Sequence, residues 1–437
     1  MADPLMADPL MASDAATVRA DGRPRVVITG VGSLTPAGGT AAATLDAVLD
    51  VRPAAAPITT WNTEGHPVTF AAQVDAVDPT ELVPPREARR LDRVSHLGIV
   101  AAEEALTQAG LAGPDADLDG IDRSRVAVVI GSGVGGILTL EDQIEVRVTR
   151  GVHRVGPLLI PMMMANATAG LVALRHGFCG AAFSIATACA SGANSIGEAA
   201  DMIRAGRADV VIAGGVEAAI TPTAMAAFAR MGALSTRNDD PAAASRPFDR
   251  DRDGFVMGEG AGVVVLESAD HAARRSAIVL GEVAGYGATC DAHHITAPDA
   301  DGAGAIACMH QALADAHLAP EAVGHINAHG TSTPLNDAAE TAAVVKVFGA
   351  DGPPVTSTKG VTGHLVGAAG AVEAVIAVLA AREGLVPPVA NLTDPDVDHA
   401  VDLVRDEPRT VATAPVLSNS FGFGGHNAAL VLVPAGG

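Results

Sequence analysis

The chain has 437 residues, 49% of them hydrophobic, and a formal net charge of −22. This length and composition suit a globular protein with one large core or two closely packed halves, and they exclude a disordered chain. The acidic charge argues against general affinity for nucleic acids or anionic membranes. The N-terminal segment up to Arg23 contains no apolar stretch long enough for a membrane span or a secretion signal.

The first 24 residues are predicted to form a disordered tail outside the fold. Met-Ala-Asp-Pro-Leu occurs at 1–5 and again at 6–10, and the chain then stays polar to Arg23. Terminal segments without an apolar pattern are usually poorly ordered. The folded part is therefore predicted to begin at Arg25, where a β-branched strand over 25–30 enters a turn rich in glycine and proline.

A basic cluster follows at 84–93, which reads Pro-Pro-Arg-Glu-Ala-Arg-Arg-Leu-Asp-Arg. Helical spacing would place Arg86, Arg90 and Arg93 near one face. On an acidic chain such a face is either a solvated helix surface or a local site for an acidic partner. Both interpretations stay open at this point.

Strand and helix patterns alternate through the rest of the first half. Apolar runs predict buried strands at 126–130, 181–185, 210–213 and 262–266, and helical spacing predicts a helix over 194–205. The glycine-rich loop at 131–136 resembles a dinucleotide-binding fingerprint only superficially, because it lacks the glycine spacing and the later acidic residue of that motif. We therefore expect no nucleotide there.

A similar order of elements restarts at about residue 277. The patterns predict strands at 278–283, 325–328, 416–418 and 427–433, and helices at 303–316 and 370–381. Strands that alternate with helices indicate an α/β fold with largely buried sheets. We therefore predict two structurally similar halves, at 25–276 and 277–437, that share little sequence.

Cys189 is the candidate nucleophile among four cysteines that show no Cys-x-x-Cys spacing. Their spacing indicates neither a zinc site nor a disulfide framework, and a reducing compartment such as the cytoplasm fits best. Cys189 lies where a predicted strand ends and a helix begins. There the helix dipole would stabilise a thiolate and lower the thiol pKa below its free value of about 8.5. An ordinary buried cysteine is the competing interpretation.

Three further segments place polar residues just after short strand patterns. They are 327–334 with His329, 357–364 with Lys359 and His364, and 419–427 with Phe423. Sites assemble at strand ends in α/β proteins, and a polar residue between apolar elements is costly unless it is used or paired. Each histidine alone could be a hydrogen-bonded core residue. Together with Cys189, the two imidazoles and the lysine suit acyl-group chemistry on a thioester.

The motifs around these residues resemble those of the β-ketoacyl-acyl-carrier-protein synthases, of the elongating Cys-His-His type. They read Ala-Thr-Ala-Cys-Ala-Ser-Gly at 186–192, Asn-Ala-His-Gly-Thr-Ser-Thr at 327–333, Lys-Gly-Val-Thr-Gly-His at 359–364 and Asn-Ser-Phe-Gly-Phe-Gly-Gly at 419–425. A fifth family-like stretch covers 245–262. His364 distinguishes the chain from relatives with asparagine or a cysteine base, and Cys189 distinguishes it from the chain-length-factor subunits of polyketide synthases, which lack the nucleophile.

The resemblance implies a thiolase-like α/β fold, with duplicated βαβαβαββ halves in a five-layered αβαβα sandwich, usually as a homodimer. It implies an acyltransferase that takes its substrates from the phosphopantetheine of acyl carrier protein and needs no metal and no other cofactor. The partner would therefore be acyl carrier protein, with neither nucleic acid nor membrane involved.

The resemblance also implies roles for single residues. Cys189 would hold the acyl chain as a thioester, and the backbone N–H groups of Cys189 and Phe423 would form the oxyanion hole. His329 and His364 would donate N–H groups to the enolate that forms when malonyl carrier protein loses carbon dioxide. Lys359, with Glu373, would organise the site electrostatically.

Weaker matches concern the substrate and the carrier protein. Thr331 and Thr333 would hydrogen-bond the phosphopantetheine arm, and Val134, Phe421 and Phe423 would border the acyl chain, with core packing as the alternative for Val134 and Phe423. Phe423 would be a gate in a moving glycine-flanked loop. The residues that would face the acidic carrier protein are Arg86, Arg89, Arg90 and Arg93.

Three functions are compatible with these residues. The main prediction is chain elongation in fatty-acid biosynthesis. The nearest alternative is the catalytic ketosynthase of a type II polyketide or polyene system, working in a heterodimer with a chain-length-factor-like subunit. A non-catalytic scaffold subunit is the third. The residues are the same in the first two cases, so the sequence leaves the pathway and the chain length open.

Overall fold

The computed structural model describes residues 17–75, 78, 83–113, 120–396 and 401–435. Residues 1–16 of the predicted tail lie outside this range. Residues 17–24 form a turn closed by a bridge between Val18 and Pro24. The buried Arg19 side chain donates there to the carbonyl oxygens of Ala284 and Asp315. Residues 17–24 therefore pack against the fold, although the sequence predicts a tail up to residue 24.

The strands carry the labels β1 (Val26–Leu34), β2 (Ala56–Pro57), β3 (Phe70–Ala71), β4 (Val126–Gly131), β5 (Ala182–Phe183), β6 (Val210–Glu217), β7 (Gly260–Ser268), β8 (Gly281–Cys290), β9 (His325–Asn327), β10 (Val355–Thr356), β11 (Leu385–Val386), β12 (Arg409–Thr410), β13 (Val416–Gly422) and β14 (His426–Pro434). The helices are α1 (Ala41–Leu49), α2 (Pro85–Ala88), α3 (Arg93–Gln108), α4 (Ile137–Arg150), α5 (Leu159–Met163), α6 (Ala167–His176), α7 (Ser191–Arg204), α8 (Pro222–Arg230), α9 (Ala269–Arg274), α10 (Ala303–Asp315), α11 (Pro334–Phe348), α12 (Lys359–Thr362) and α13 (Ala369–Arg382). None of these helices combines the length and apolar character needed to cross a membrane, within the part of the chain that the structure describes.

The main sheet is built from two half-sheets with the same topology. Its strand order is β10-β9-β13-β14-β8-β1-β7-β6-β4-β5. In each half the first three strands from the centre pair antiparallel and the outer pairs are parallel, so β1, β7, β6, β4 and β5 correspond to β8, β14, β13, β9 and β10. The halves join through a short antiparallel contact of Val27 with Glu282 and Ile28 with Gly281. The predicted duplication is therefore present.

Two central helices complete the predicted five layers. α7 contacts β6 and β8, α13 contacts β7 and β13, and the two helices pack against each other between the half-sheets. α3 covers β1 and β7 on one outer face, and α10 covers β8 and β14 on the other. α13 is almost wholly apolar and buried, as expected for a helix enclosed on all sides. A Cβ at Gly192 would lie 2.8 Å from the backbone nitrogen of Ala371, so a glycine is needed where α7 meets α13.

Two predicted strands differ from the observed ones. The run at 181–185 is not a buried strand, because β5 covers only Ala182–Phe183 at the sheet edge and both residues are exposed. The strand predicted at 278–283 starts later, at Gly281, and continues to Cys290. The predicted boundary between the halves, at 276/277, falls in the connection between α9 and β8.

Candidate active site

Cys189 lies in a tight turn at the start of α7. The turn is a 3-10 helix over Ala188–Ala190, and Ala188 has a φ of +51°, a left-handed conformation that is uncommon for a residue with a side chain. Strain of this kind often occurs at functional sites. Cys189 is 7% exposed and lines a cavity of about 540 Å³. The sulfur is thus held at the wall of a pocket large enough for a substrate.

Two histidines from the second half reach the Cys189 sulfur. His364 Nε2 lies 3.1 Å from Cys189 Sγ, and the ring centroids of His329 and His364 are 5.3 Å apart. His329 follows β9, and His364 follows α12 through Gly363, whose φ is +70°. Cys189 Sγ, one ring nitrogen of His329 and one of His364, which are possible metal-ligand atoms, all lie within 4.8 Å of one another. Such sulfur and nitrogen atoms can also bind zinc, so the cluster could hold a metal as well as serve as a nucleophile with two N–H donors.

Lys359 and Glu373 form a buried ion pair beside the histidines. Lys359 is fully buried, and its Nζ donates to the carbonyl oxygen of His329 at 2.6 Å and to Glu373 Oε1. Burial raises the pKa of Glu373 to about 7, although the Lys359 charge acts in the opposite direction. The structure therefore brings Lys359 and Glu373 next to the Cys-His-His cluster.

Both histidines are neutral at pH 7. Burial holds the pKa values of His329 and His364 well below the usual histidine value, and the positive charge of Lys359 lowers them further. A neutral imidazole keeps one N–H that can donate to a developing negative charge. The cluster can therefore stabilise an anion without itself changing charge.

Backbone N–H groups converge on the same sulfur. The backbone N–H groups of Phe423 and Cys189 lie beside Cys189 Sγ and lower the pKa of its thiol. A Cβ at Gly422 would lie 2.8 Å from the carbonyl oxygen of Thr187 and 3.0 Å from the Cys189 nitrogen, so only glycine lets the end of β13 approach this turn. Two such donors at one point have the arrangement that stabilises an oxyanion.

The thiol pKa differs from the sequence-based expectation. Burial raises the pKa of Cys189 to about 11, whereas the hydrogen bond from Phe423 and the charge of Lys359 lower it. The prediction of a lowered pKa at the helix N-terminus is therefore wrong for the resting protein. Loss of hydration in an apolar turn outweighs the helix dipole, because the dipole is shared among several N–H groups while desolvation acts on the whole thiolate charge.

This pKa can be checked by alkylation with iodoacetamide. In a variant with the exposed Cys179 and Cys290 changed to alanine, we expect the alkylation rate of Cys189 to rise steadily between about pH 7 and 10, because only the thiolate reacts. The rate would be measured by intact mass. A plateau beginning below about pH 8.5 would instead indicate an activated thiolate and contradict the raised pKa.

The predicted substrate residues line the cavity. Thr331 and Thr333 do so with their hydroxyl oxygens 2.9 Å apart. Val134, Phe421 and Phe423 also line it, and Val134 is 46% exposed, so core packing does not explain that residue. Phe228 and Phe255, which were not predicted from the sequence, lie in the same wall. Their ring centroids are 5.7 Å apart, and the ring centroid of Phe228 is 6.4 Å from that of Phe423.

The predicted arginine face is not one helix face. Arg86 lies on the short helix α2, whereas Arg93 begins α3, which Asp92 caps. Arg93 also binds both carboxylate oxygens of Glu259 and the carbonyl oxygen of Val74, so it supports the fold. Arg86, Arg89 and Arg90 are exposed and remain candidates for a docking surface.

Two buried carboxylates near the cavity were also missed. Glu340 accepts hydrogen bonds from the backbone nitrogens of His329 and Gly330, each at 2.8 Å. Glu217 ends the apolar run of β6 and accepts from backbone nitrogens of the loop after β4. A carboxylate at the end of a buried strand pattern was the signal that could have identified Glu217, since the same rule selected the histidine segments.

Comparison with known proteins agrees with this geometry. Residues 23–272 match the family model described as beta-ketoacyl synthase, N-terminal domain, and residues 280–393 match its C-terminal domain. The 3-oxoacyl-[acyl-carrier-protein] synthase 2 of Synechocystis sp. is 45% identical over 408 residues, which are 93% of this chain and 97% of the relative. The similarity therefore extends over nearly the whole of both proteins.

Solved structures share the fold as well. The ishigamide ketosynthase/chain length factor has a TM-score of 0.87 at 34% identity and covers 95% of this chain and 100% of its own. A type II PKS acyl-carrier protein in complex with its ketosynthase bound to the hexaketide has a TM-score of 0.86 at 31% identity and covers 94% and 100%. Because two adjoining domain models match all of residues 23–393 except 273–279, the chain belongs to the β-ketoacyl synthase family of condensing acyltransferases.

Proposed function

We propose that this protein is an elongating β-ketoacyl-acyl-carrier-protein synthase of fatty-acid biosynthesis. It condenses malonyl carrier protein, with loss of carbon dioxide, onto an acyl chain held as a thioester on Cys189. The observation that carries the proposal is the meeting of one thiol, two neutral imidazoles and two backbone N–H groups at one cavity wall. The 45% identity to a protein named 3-oxoacyl-[acyl-carrier-protein] synthase 2 supports the fatty-acid assignment.

In the first half-reaction, Cys189 Sγ attacks the carbonyl carbon of the acyl thioester that acyl carrier protein holds on its phosphopantetheine. The carbonyl oxygen becomes an oxyanion, which accepts hydrogen bonds from the amides of Cys189 and Phe423. The intermediate collapses as the bond from carbon to the phosphopantetheine sulfur breaks. The leaving thiolate takes up the proton that Cys189 lost, so the products are an acyl-Cys189 thioester and a free carrier thiol.

In the second half-reaction, malonyl carrier protein loses carbon dioxide and leaves an enolate of its thioester. The N–H groups of His329 and His364 donate to the enolate oxygen, and Lys359 holds the backbone of His329 through its carbonyl oxygen. The enolate carbon attacks the acyl-Cys189 carbonyl carbon, and Cys189 leaves as a thiolate that takes up a proton from solvent to restore the thiol. The product is a 3-oxoacyl carrier protein, and the enzyme needs no other cofactor.

The remaining cavity residues serve the substrate and its carrier. Thr331 and Thr333 would hydrogen-bond the phosphopantetheine arm, and Val134, Phe421 and Phe423 would contact the acyl chain. Arg86, Arg89 and Arg90 would attract the acidic carrier protein. Such electrostatic docking weakens as salt screens the charges.

The proposal is tested by incubating the protein with acyl carrier proteins that bear acyl chains of increasing length, and then with malonyl carrier protein. Intact mass should first show an acyl adduct that peptide mapping assigns to Cys189. After malonyl carrier protein is added, the carrier should bear a 3-oxoacyl chain lengthened by two carbons. If neither adduct nor product forms with any chain, the protein is not an elongating synthase.

Replacing His329 or His364 with alanine should impair decarboxylation of malonyl carrier protein more than loading of Cys189. The expected loss is about 10²–10³-fold, typical of removing one donor to an oxyanion. Carbon dioxide release and adduct formation would be followed separately. His325→Gln is the matched control, because His325 is also buried, with a pKa lowered to about 4 by burial, but does not line the cavity. Equal loss of both half-reactions in the His329 and His364 variants would refute this division of roles.

A catalytic ketosynthase of a type II polyketide system is the second candidate. Its support is the structural similarity to a ketosynthase/chain length factor and to a type II PKS ketosynthase, both at lower identity than the Synechocystis relative. This function predicts polyketide products only when a chain-length-factor-like subunit is added. Products that are complete with this chain alone would favour fatty-acid elongation.

We further propose a homodimer formed through the edge strand β5, in the cytoplasm. An edge strand offers unpaired N–H and C=O groups to a second chain. Phe183 on β5 is 37% exposed, and Leu174 on the neighbouring helix α6 is 79% exposed. Phe183→Lys should therefore yield monomers by light scattering, whereas Ile278→Lys, at an exposed position between α9 and β8, should stay dimeric. A parent that is monomeric, or a dimeric Phe183→Lys variant, would contradict this interface.

A further inference from the structure

Glu217 is a fully buried carboxylate that the proposed reaction does not use. It is the last residue of β6, and its exposed fraction is 0%. It lies beside the glycine-rich loop that follows β4, which lacks the glycine spacing of a nucleotide-binding motif. A carboxylate in this position costs free energy unless its oxygens accept hydrogen bonds, so its partners indicate what it does.

The carboxylate accepts hydrogen bonds from two separate segments. From the loop after β4, Ser132 Oγ donates to Oε1 at 3.0 Å and the Gly133 nitrogen donates to Oε2 at 2.8 Å. The Val134 nitrogen contacts Oε1 at 3.4 Å. From the turn before α13, the Gly367 nitrogen donates to Oε2 at 3.1 Å. Successive backbone N–H groups thus form an anion-binding nest, and a side chain of the protein itself fills it.

Both segments belong to the wall of the cavity around Cys189. Gly133, Val134 and Val366 line that cavity. A Cβ at Gly133 would lie 2.7 Å from Glu217 Oε2 and 3.2 Å from Val366 Cγ1, so the loop and the turn touch across the carboxylate. Val366 has a φ of +45°, which is strained for a β-branched residue. The hydrogen bond to its neighbour Gly367 therefore helps to hold a conformation that the chain would not adopt unaided.

Burial and the hydrogen-bond donors shift the pKa of Glu217 in opposite directions. Burial raises the pKa of Glu217 to about 7, while the hydrogen bonds from Gly133, Ser132 and Gly367 lower it. Within the described part of the chain, the carboxylate accepts hydrogen bonds from N–H and O–H groups and not from a cation. An acceptor with two oxygens is therefore required here, and an amide side chain would set an N–H₂ group against backbone N–H donors.

We propose that Glu217 is a positioning residue for chain-length selection, which holds Val134 and Val366 at the cavity wall and so sets the space available to the acyl chain. The inference rests on the proposed function, because it assumes that an acyl chain enters this cavity. Glu217 acts through the two valines and does not touch the reacting atoms. A change of one methylene in an apolar pocket changes discrimination by about 10–200-fold, so a small movement of these side chains is enough.

The test is Glu217→Gln, assayed by the rate of acyl-Cys189 formation with carrier proteins loaded with short, medium and long chains. We expect the ratio of kcat/KM for long over short chains to change by about tenfold, mainly through KM. Decarboxylation of malonyl carrier protein, which depends on His329 and His364, should stay within about twofold of the parent. Ser132→Ala, which removes one donor, should shift the ratio in the same direction by less.

Glu267→Gln is the matched control. Glu267 is also fully buried near the end of a central strand, but its partners Arg275, His271 and Thr29 do not line the cavity. It should lower the melting temperature without changing the chain-length ratio. An unchanged ratio in Glu217→Gln, or an equal loss for all chain lengths, would overturn the positioning role. If the parent itself forms no acyl adduct with any chain, the proposed function fails instead.

Discussion

Changing Cys189 to alanine is expected to abolish condensation, with kcat/KM falling by at least about 10³-fold. Without the sulfur no acyl thioester can form on the enzyme, so the acyl group would not stay bound while malonyl carrier protein replaces the first carrier. The cavity and the two imidazoles would remain, because alanine keeps the Cβ and the backbone of Cys189 and removes only the sulfur. Product formation by mass spectrometry and the mass of the intact protein would both be measured, and the acyl adduct should be absent.

The same variant distinguishes a catalytic subunit, which uses Cys189 as a nucleophile, from a non-catalytic scaffold subunit. Cys189→Ala should still release carbon dioxide from malonyl carrier protein, since His329 and His364 are untouched. Cys308→Ala is the matched control: Cys308 is a second buried free cysteine, whose thiol contacts the carbonyl oxygen of Gly287 in the second half. It should keep both the adduct and the product. Undiminished condensation by Cys189→Ala would identify the chain as one that does not use this thiol.

Changing Lys359 to methionine is expected to lower the free energy of unfolding by about 3–5 kcal/mol. The substitution leaves the Glu373 carboxylate buried without its cation and removes the hydrogen bond to the His329 carbonyl oxygen. Urea unfolding, followed by circular dichroism, would measure the loss. The chain has only two lysines, so Lys346→Met on the surface is a natural control and should change stability by less than about 1 kcal/mol.

A double variant tests whether the loss comes from the unpaired charge. Lys359→Met combined with Glu373→Leu should recover part of the stability, because a buried ion pair can often be replaced by apolar residues at little cost. It should not recover catalysis, since the carbonyl oxygen of His329 would still lack its donor. If the double variant is as unstable as the sum of the two single variants, the two residues contribute independently and the ion-pair explanation is wrong.

The amino-acid sequence predicted the architecture, which the structure confirms, and the groups proposed for the site. The apolar runs at 126–130, 210–213 and 262–266 identify strands because their burial depends mostly on local composition. The family motifs predicted Cys189, His329, His364 and Lys359 as site residues. Of these, Cys189 and His364 are 175 residues apart in the chain. Motifs can do this because the chemistry requires particular side chains after particular strands.

Properties of a side chain that depend on its surroundings follow only from the folded structure. The pKa of Cys189 is raised and not lowered, because its desolvation is set by residues from both halves of the chain. Arg93 pairs with Glu259, 166 residues away, and begins a different helix from the one that carries Arg86. Glu217 gains its role only when the loop after β4 and the turn before α13 meet across its carboxylate. The burial, electrostatic environment and hydrogen-bond partners of a side chain depend on residues that are distant in the chain. A local sequence pattern does not include those residues.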